Sequence, residues 1–272
     1  MTHSRRDVLD LLDRHGLKPS RALGQNFVAD ANTVRRIAWL AEVGPGDRVI
    51  EVGAGLGSLT LALAETGADV TAVEVDRHVL PALREVVANT DVTIVEADAM
   101  SVDWHALVDD RDHVLVANLP YNIATPLVAD LLDAVPELKR MLVMVQREVG
   151  ERLAAHVGDD GYGAVSVKVD YWADARVVGH VPASVFVPRP NVESALVRID
   201  RRAHPKIDVD PSLLFPLVRA GFGQRRKMLR RALADVVDAD AFACAGVRPE
   251  ARAEELDVDA WGRLARCVHR RS

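Results

Sequence analysis

The chain has 272 residues, 49% of them hydrophobic, with a mean hydropathy of +0.03 and a formal net charge of −6. That length suits one large domain with a smaller one, and with a polar Thr2 to Asp7 and no run of about 18 apolar residues, neither a secretory signal nor a membrane span is expected. Cys244 and Cys267 are too few for a disulfide framework or a zinc site, so a reducing cytoplasm is the expected setting.

Residues 5–15 carry Val8, Leu9, Leu11 and Leu12 on an apolar stripe and predict a short helix. Lys18-Pro19-Ser20-Arg21 interrupts it and leads into Leu23-Gly24-Gln25-Asn26-Phe27-Val28. Asp30 is the expected N-cap of a helix over 31–41, with Val34, Ile37, Ala38 and Ala41 on one face. Strand and helix then alternate. Strands are predicted at 48–52, 70–74, 92–95, 114–117 and 141–145, with helices over 58–66 and 77–88. Short Val- and Ile-rich runs with amphipathic helices between them predict a parallel sheet covered on both faces, with right-handed crossovers. The fold class is therefore α/β, doubly wound.

Residues 162–172 are ambiguous. Val165, Val167, Val169 and Tyr171 alternate as in a strand, whereas Tyr162, Val165, Val169 and Trp172 recur at helical spacing, and periodicity leaves both readings open. Val177-Val178 and 195–199 read as strands flanking the proline-rich Val185-Phe186-Val187-Pro188-Arg189-Pro190 loop, which predicts an antiparallel edge to the sheet. Arg201-Arg202-Ala203-His204-Pro205 reads as a linker, and 211–271 is helical in texture. The expected organisation is an N-terminal helix and segment (1–30), the α/β domain (31–204) and a small all-helical domain (205–272). In the last, Arg219, Arg225, Arg226, Lys227, Arg230 and Arg231 form a tract without an acid, a local basic feature that the net charge conceals.

Chemistry concentrates at the strand ends. Gly53, Gly55 and Gly57 follow the first strand, where glycine allows close backbone approach to a ligand and a helix N-terminus favours an electron-rich group. The nicotinamide fingerprint is G-x-G-x-x-G, whereas this loop runs E-x-G-x-G-x-G from Glu51. Glu74 ends the second strand about twenty residues on, where an acid reaches a ribose diol in doubly wound folds. Both nicotinamide cofactors and S-adenosylmethionine carry such a diol. Asp98 follows the third strand, placed to accept from an adenine amine beside an apolar neighbour such as Met100. The fourth strand delivers Asn118-Leu119-Pro120-Tyr121 to the same edge. An amide, a rigid proline corner and a flat aromatic face suit an exocyclic amine on a planar base; the alternative is a strand-to-helix turn using Asn and Pro as breakers.

Leu23-Gly24-Gln25-Asn26-Phe27, Glu51-Val52-Gly53-Ala54-Gly55-Leu56-Gly57, Asn118-Leu119-Pro120-Tyr121-Asn122-Ile123, Val145-Gln146-Arg147-Glu148-Val149, Phe186-Val187-Pro188-Arg189-Pro190 and Gln224-Arg225-Arg226-Lys227 occur in that order. Asn-Leu-Pro-Tyr is similar to the N/D-P-P-Y/F signature of amino-group methyltransferases. The whole set resembles the small-subunit (16S) ribosomal RNA adenine N6,N6-dimethyltransferases of the kasugamycin-resistance type, from about residue 18 onward. The resemblance implies a Rossmann-like class I methyltransferase sheet using S-adenosylmethionine and no metal. Asn26, Val28, Gly53, Gly55, Glu74, Asp98 and Asn118 would hold the cofactor, with Glu74 on the ribose and Asp98 on the adenine. Asn118, Leu119, Pro120 and Tyr121 would form the catalytic loop. Tyr121, Phe186, Arg225, Arg226 and Lys227 would contact RNA. Ala54, Ala164 and Asn191-Val192-Glu193 depart from the family pattern without touching the transfer centre.

The implied reaction dimethylates two adjacent adenosines in a hairpin loop near the 3′ end of small-subunit rRNA. The Asn118 side chain and the Leu119 or Pro120 carbonyl would act as acceptors, with no general base. The implied partners are the rRNA and the 30S subunit or its assembly intermediate, and the chain would act as a cytoplasmic monomer. Rival readings are a nicotinamide oxidoreductase, which leaves Asn118 to Tyr121 unexplained, and an assembly factor whose binding matters more than its methylation. Macrolide-resistance methyltransferases are a third, but Asn-Leu-Pro-Tyr-Asn rather than Asn-Ile-Pro-Tyr-His points away from them.

Overall fold

The computed structural model describes residues 2–20 and 23–269. Helix α1 (Arg5–Arg14) is closed at its start by a capping box between Ser4 and Asp7. A two-residue strand β1 (Phe27–Val28) and helix α2 (Ala31–Ala41) follow, the latter capped by Asp30 as expected. Strand and helix then alternate through β2 (Arg48–Val52), α3 (Ser58–Ala64), β3 (Asp69–Glu74), α4 (Leu80–Val87) and β4 (Thr93–Glu96). The alternation continues with α5 (Trp104–Leu107), β5 (His113–Asn118), α6 (Ala124–Ala134), β6 (Leu138–Gln146), α7 (Arg147–Leu153) and α8 (Ala164–Trp172). Strands β7 (Ala173–Val181), β8 (Phe186–Val187) and β9 (Ser194–Arg201) precede α9 (Pro211–Gly223), α10 (Leu229–Ala232), α11 (Ala239–Ala245) and α12 (Val258–His269).

The main sheet has seven strands in the order β4-β3-β2-β5-β6-β9-β7. β2 pairs in parallel with β3 and β5, β3 with β4, and β5 with β6, while β9 runs antiparallel to β6. The antiparallel strand thus lies one place in from the edge, with β7 outside it. The order reverses between β2 and β5, and that reversal opens a crevice at the strand C-termini. Val34, Ile37, Ala38 and Ala41 of α2 and Leu59, Ala62 and Leu63 of α3 are buried in one core cluster with Val49, Val116 and Leu142 of the sheet.

The described residues divide into two compact units: one within 1–150 and 176–201, the other within 151–175 and 202–272. This differs from the expected boundaries, which left 151–175 in the α/β domain. The reason lies in α8. Val167 and Tyr171 share a buried cluster with Leu214 and Phe215 of α9. The Tyr171 ring meets Phe215 edge-on at 5.3 Å, and its hydroxyl donates to the Val209 carbonyl at 2.7 Å. Tyr162 likewise donates to the Leu256 carbonyl at 2.9 Å. These partners settle the ambiguous stretch as helix, because Ser166, Val167, Val169 and Tyr171 are all buried and the apparent alternation reflects a helix covered on more than one side.

The cysteine reading is also corrected. Cys244 of α11 and Cys267 of α12 form a disulfide, with Cα atoms 6.0 Å apart. Two cysteines 23 residues apart carry no sequence signal that their helices lie side by side. Among the described residues no helix is long and apolar enough to cross a membrane, and no metal-ligand cluster is present.

Removing the Tyr171 hydroxyl leaves a buried carbonyl without its donor. Tyr171→Phe is expected to lower stability by about 1–3 kcal/mol and Tyr171→Ala by about 3–5 kcal/mol, measured by urea unfolding.

Candidate active site

The glycine loop after β2 is shaped by left-handed backbone. Gly53 has φ +74° and Gly55 φ +55°. A Cβ on Gly55 would stand 3.0 Å from the Phe27 ring, so a side chain there is strained by the backbone and crowded by that ring. The Gly55 N–H donates to Glu74 Oε2 at 2.8 Å, tying the loop to the end of β3.

Glu74 is buried, and its other oxygen accepts the N–H groups of Val75 at 3.0 Å and Asp76 at 2.9 Å. Burial raises its pKa, and the three backbone donors oppose that shift by favouring the carboxylate. Glu51 lies in the same pocket without backbone donors, and only the Thr60 hydroxyl opposes the effect of burial. It is 1% exposed, its Oε2 has no hydrogen-bond partner, and burial pushes its carboxyl up to about 8, with the Glu74 charge acting in the same direction. The motif spacing showed Glu51 inside a strand but not that this strand's buried face opens on a cavity.

At the neighbouring strand end, Asp98 forms a tight turn in which Oδ1 accepts the Met100 N–H at 2.9 Å. Ala97, Asp98 and Ala99 line the pocket; Met100, the apolar neighbour expected from sequence, does not.

β5 ends in Asn118. The Leu119 N–H donates to the Met144 carbonyl at 3.0 Å, which carries the sheet pairing one residue past the strand and buries the Leu119 side chain. The Pro120 carbonyl accepts N–H groups from Ile123 at 3.1 Å and Ala124 at 3.2 Å, so it serves the start of α6. Among the described residues none donates to the Leu119 carbonyl. Asn118 Nδ2 donates to the Asn26 carbonyl at 3.1 Å, which leaves Oδ1 as the amide's free acceptor.

Asn26 directly precedes β1, which pairs with β8. Phe27 pairs with Val187 and Val28 with Phe186, antiparallel, and the Ala29 N–H donates to the Val185 carbonyl at 2.7 Å. Two motifs far apart in the chain therefore form one ribbon. Such short strands leave no periodic trace in a sequence.

Of the cofactor residues expected from sequence, Asn26, Val28, Gly53, Gly55, Glu74, Asp98 and Asn118 all line one pocket, together with Pro120 of the catalytic loop. Tyr121 is half-buried just outside that lining. Phe186 must be corrected: it is 1% exposed and packed in the core with Val28, Val34 and Leu196, so its ring presents no face to a base. In the helical unit, Arg225 donates to the Tyr162 carbonyl at 3.0 Å and pairs with Glu254, and Arg230 pairs with Glu250. The basic tract thus has acids beside it that the local sequence did not reveal. Arg226 and Lys227 are exposed, and no ion pair to either is found among the described residues.

A family model described as ribosomal RNA adenine dimethylase matches residues 16–269. The ribosomal RNA small subunit methyltransferase A of Cutibacterium acnes is 46% identical over 95% of this chain and 90% of its own length. Its counterpart from Streptomyces coelicolor is 46% identical over 95% of this chain and 94% of its own. Among solved structures, the 23S rRNA methyltransferase ErmE matches 90% of this chain and 100% of its own with TM-score 0.69 at 26% identity. A dimethyladenosine transferase from Plasmodium falciparum has the same fold, with TM-score 0.73 at 23% identity over 86% of this chain and 94% of its own.

The Glu51 shift has a stability consequence. A folded pKa of about 8, above the ordinary 4.5, means the folded state holds the proton more tightly. The stability it contributes is full below the ordinary carboxylate range and is lost as pH rises toward about 8. Glu51→Gln stays uncharged. In ligand-free urea unfolding, wild type is expected to lose on the order of a few kcal/mol relative to Glu51→Gln between about pH 5 and pH 8.5; parallel pH profiles would contradict a neutral Glu51.

Proposed function

Because the chain belongs to the ribosomal RNA adenine dimethylase family, we propose that it carries methyl groups from S-adenosylmethionine to the N6 amines of two adjacent adenosines in a hairpin loop near the 3′ end of small-subunit rRNA, giving N6,N6-dimethyladenosine. The observation that carries this reading is the Asn118 amide, turned by Asn26 so that its oxygen is free beside the glycine loop, Glu74 and Asp98.

The pocket suits such a cofactor. Glu74 offers a carboxyl group fixed by three backbone N–H groups for ribose hydroxyls, and Asp98 an acceptor for the adenine amine. The left-handed glycines bring the loop backbone to the pocket wall. When bound, the sulfonium supplies a methyl carbon activated for attack, and the C–S electron pair leaves with sulfur as the thioether of S-adenosylhomocysteine.

The residues of the chain then have to orient an amine whose lone pair is delocalised into its ring. Asn118 Oδ1 and the Leu119 carbonyl accept its hydrogens and draw the nitrogen toward tetrahedral geometry, freeing the lone pair in line with the methyl. The Pro120 carbonyl is committed to α6 and drops out as the second acceptor. Alignment of this kind is worth up to about 7–11 kcal/mol in well-oriented systems. The tetrahedral ammonium is acidic and loses its proton to water, so no side chain has to act as base. The target adenine leaves its stack at a cost of a few kcal/mol, and Tyr121 repays roughly 1–3 kcal/mol by stacking on it.

Relatives at 46% identity named for the small subunit favour that substrate over the 23S rRNA named for ErmE, and favour a transferase over a binding-only assembly factor. The reading places the chain in the cytoplasm as a monomer acting on the 30S subunit or its assembly intermediate, with Arg226 and Lys227 contacting phosphates.

Labelled methyl groups should appear on unmethylated small subunits as N6,N6-dimethyladenosine, identified by mass spectrometry; label on another nucleoside would overturn the reading. Asn118→Ala should lower turnover on the order of a hundredfold or more, as loss of one preorganised polar group does, while S-adenosylhomocysteine affinity falls far less. Replacing Arg226 and Lys227 by Ala should reduce the slope of log K against log salt by about 1.4–1.8. An unchanged slope would remove them from the RNA interface.

A further inference from the structure

The segment that turns Asn118 is itself held by a side chain with no role assigned above. Gln25 is half-buried, and its amide is engaged at both ends. Oε1 accepts the Ser20 N–H at 2.7 Å, and Nε2 donates to Asp76 Oδ2 at 2.7 Å. The Gln25 N–H donates in turn to the Ser20 carbonyl at 3.0 Å. On one side of Gln25, Gly24 has φ +63°, and a Cβ there would meet Pro120 Cβ at 3.1 Å. On the other, the Asn26 carbonyl receives the Asn118 amide at 3.1 Å. Asp76 meanwhile donates its N–H to the Glu74 carboxylate at 2.9 Å.

From this continuity we propose that Gln25 is a positioning residue, a latch through Asp76 that holds residues 23–28 across the pocket and so fixes the Asn118 acceptor relative to the cofactor. The inference rests on the cofactor reading of this pocket. The chemistry explains the residue type. A carboxylate at this position keeps the Ser20 bond but faces Asp76 with like charge, and an apolar side chain makes neither bond. Gln25 lines the same pocket, but both ends of its amide are taken up by Ser20 and Asp76, so it acts through the Asn26 carbonyl. Because one latch serves both the Glu74 end of the pocket and the Asn118 end, its loss should lower cofactor affinity and turnover together.

The experiment is a donor–acceptor swap. S-adenosylhomocysteine affinity by calorimetry and turnover on unmethylated small subunits are measured for wild type, Gln25→Glu, Asp76→Asn and the double variant. Asp76 Oδ1 also accepts the His78 N–H at 3.0 Å, so Asp76→Asn has one oxygen for two donors and should itself lose severalfold in both readouts. Gln25→Glu should lose on the order of tenfold or more in both readouts, the scale of a lost charge-assisted hydrogen bond. The double variant restores one donor facing one acceptor with the direction reversed, and should recover to within about threefold. A Gln25→Glu enzyme equal to wild type, or a double variant as impaired as Gln25→Glu, would overturn the latch. A general packing defect would not be repaired by the swap. Absence of binding by wild type would instead overturn the cofactor reading, and the latch with it.

Discussion

One hydrogen bond decides the chemistry of the pocket: Asn118 Nδ2 to the Asn26 carbonyl, 3.1 Å. An amide carries donors on one side and an acceptor on the other, and rotating it exchanges them. A backbone carbonyl placed against the nitrogen removes that freedom before any ligand arrives. The oxygen is then available for an amine hydrogen without reorganisation, the condition under which an electrostatic contact lowers a barrier most. The acceptor carbonyl directly precedes the β1–β8 ribbon, and the proposed Gln25 latch holds it from the other side, so the orientation rests on backbone pairing together with that side chain.

The sheet supplies the rest. Its order reverses between β2 and β5, so the glycine loop and the Asn118 corner emerge side by side. Two buried acids sit at that edge, both raised by burial, and they differ in what opposes the rise. Glu74 receives three backbone N–H groups, which favour its charge, whereas the Glu51 Oε2 receives none and burial favours its proton. Burial raises the pKa of both acids, and the neighbouring Glu74 carboxyl adds to the rise at Glu51.

Much of this was legible in the sequence. Val- and Ile-rich runs with turn residues between them located β2 to β6 to within a few residues, and Glu74, Asp98 and Asn118 could be placed at strand ends because strand polarity is fixed in a parallel sheet. What stayed hidden was long-range. The pairing of Phe27-Val28 with Phe186-Val187 involves segments too short for periodicity, and it is this pairing that buries Phe186, which sequence alone offered as a base-stacking ring. Residues 151–175 join the helical unit because Tyr162 and Tyr171 find carbonyl partners at Leu256 and Val209, which no local pattern announces. The Cys244–Cys267 bond and the acids beside Arg225 and Arg230 were invisible for the same reason.

The central claim is that Asn118 is an acceptor whose amide is turned before substrate binds. The most direct measurement is a crystal structure of the protein with S-adenosylhomocysteine and adenosine bound together. The expected result has Asn118 Oδ1 and the Leu119 carbonyl within hydrogen-bond reach of N6, with Nδ2 still on Asn26. An amide rotated to offer Nδ2 to the base, or an adenine bound away from Asn118, would contradict it.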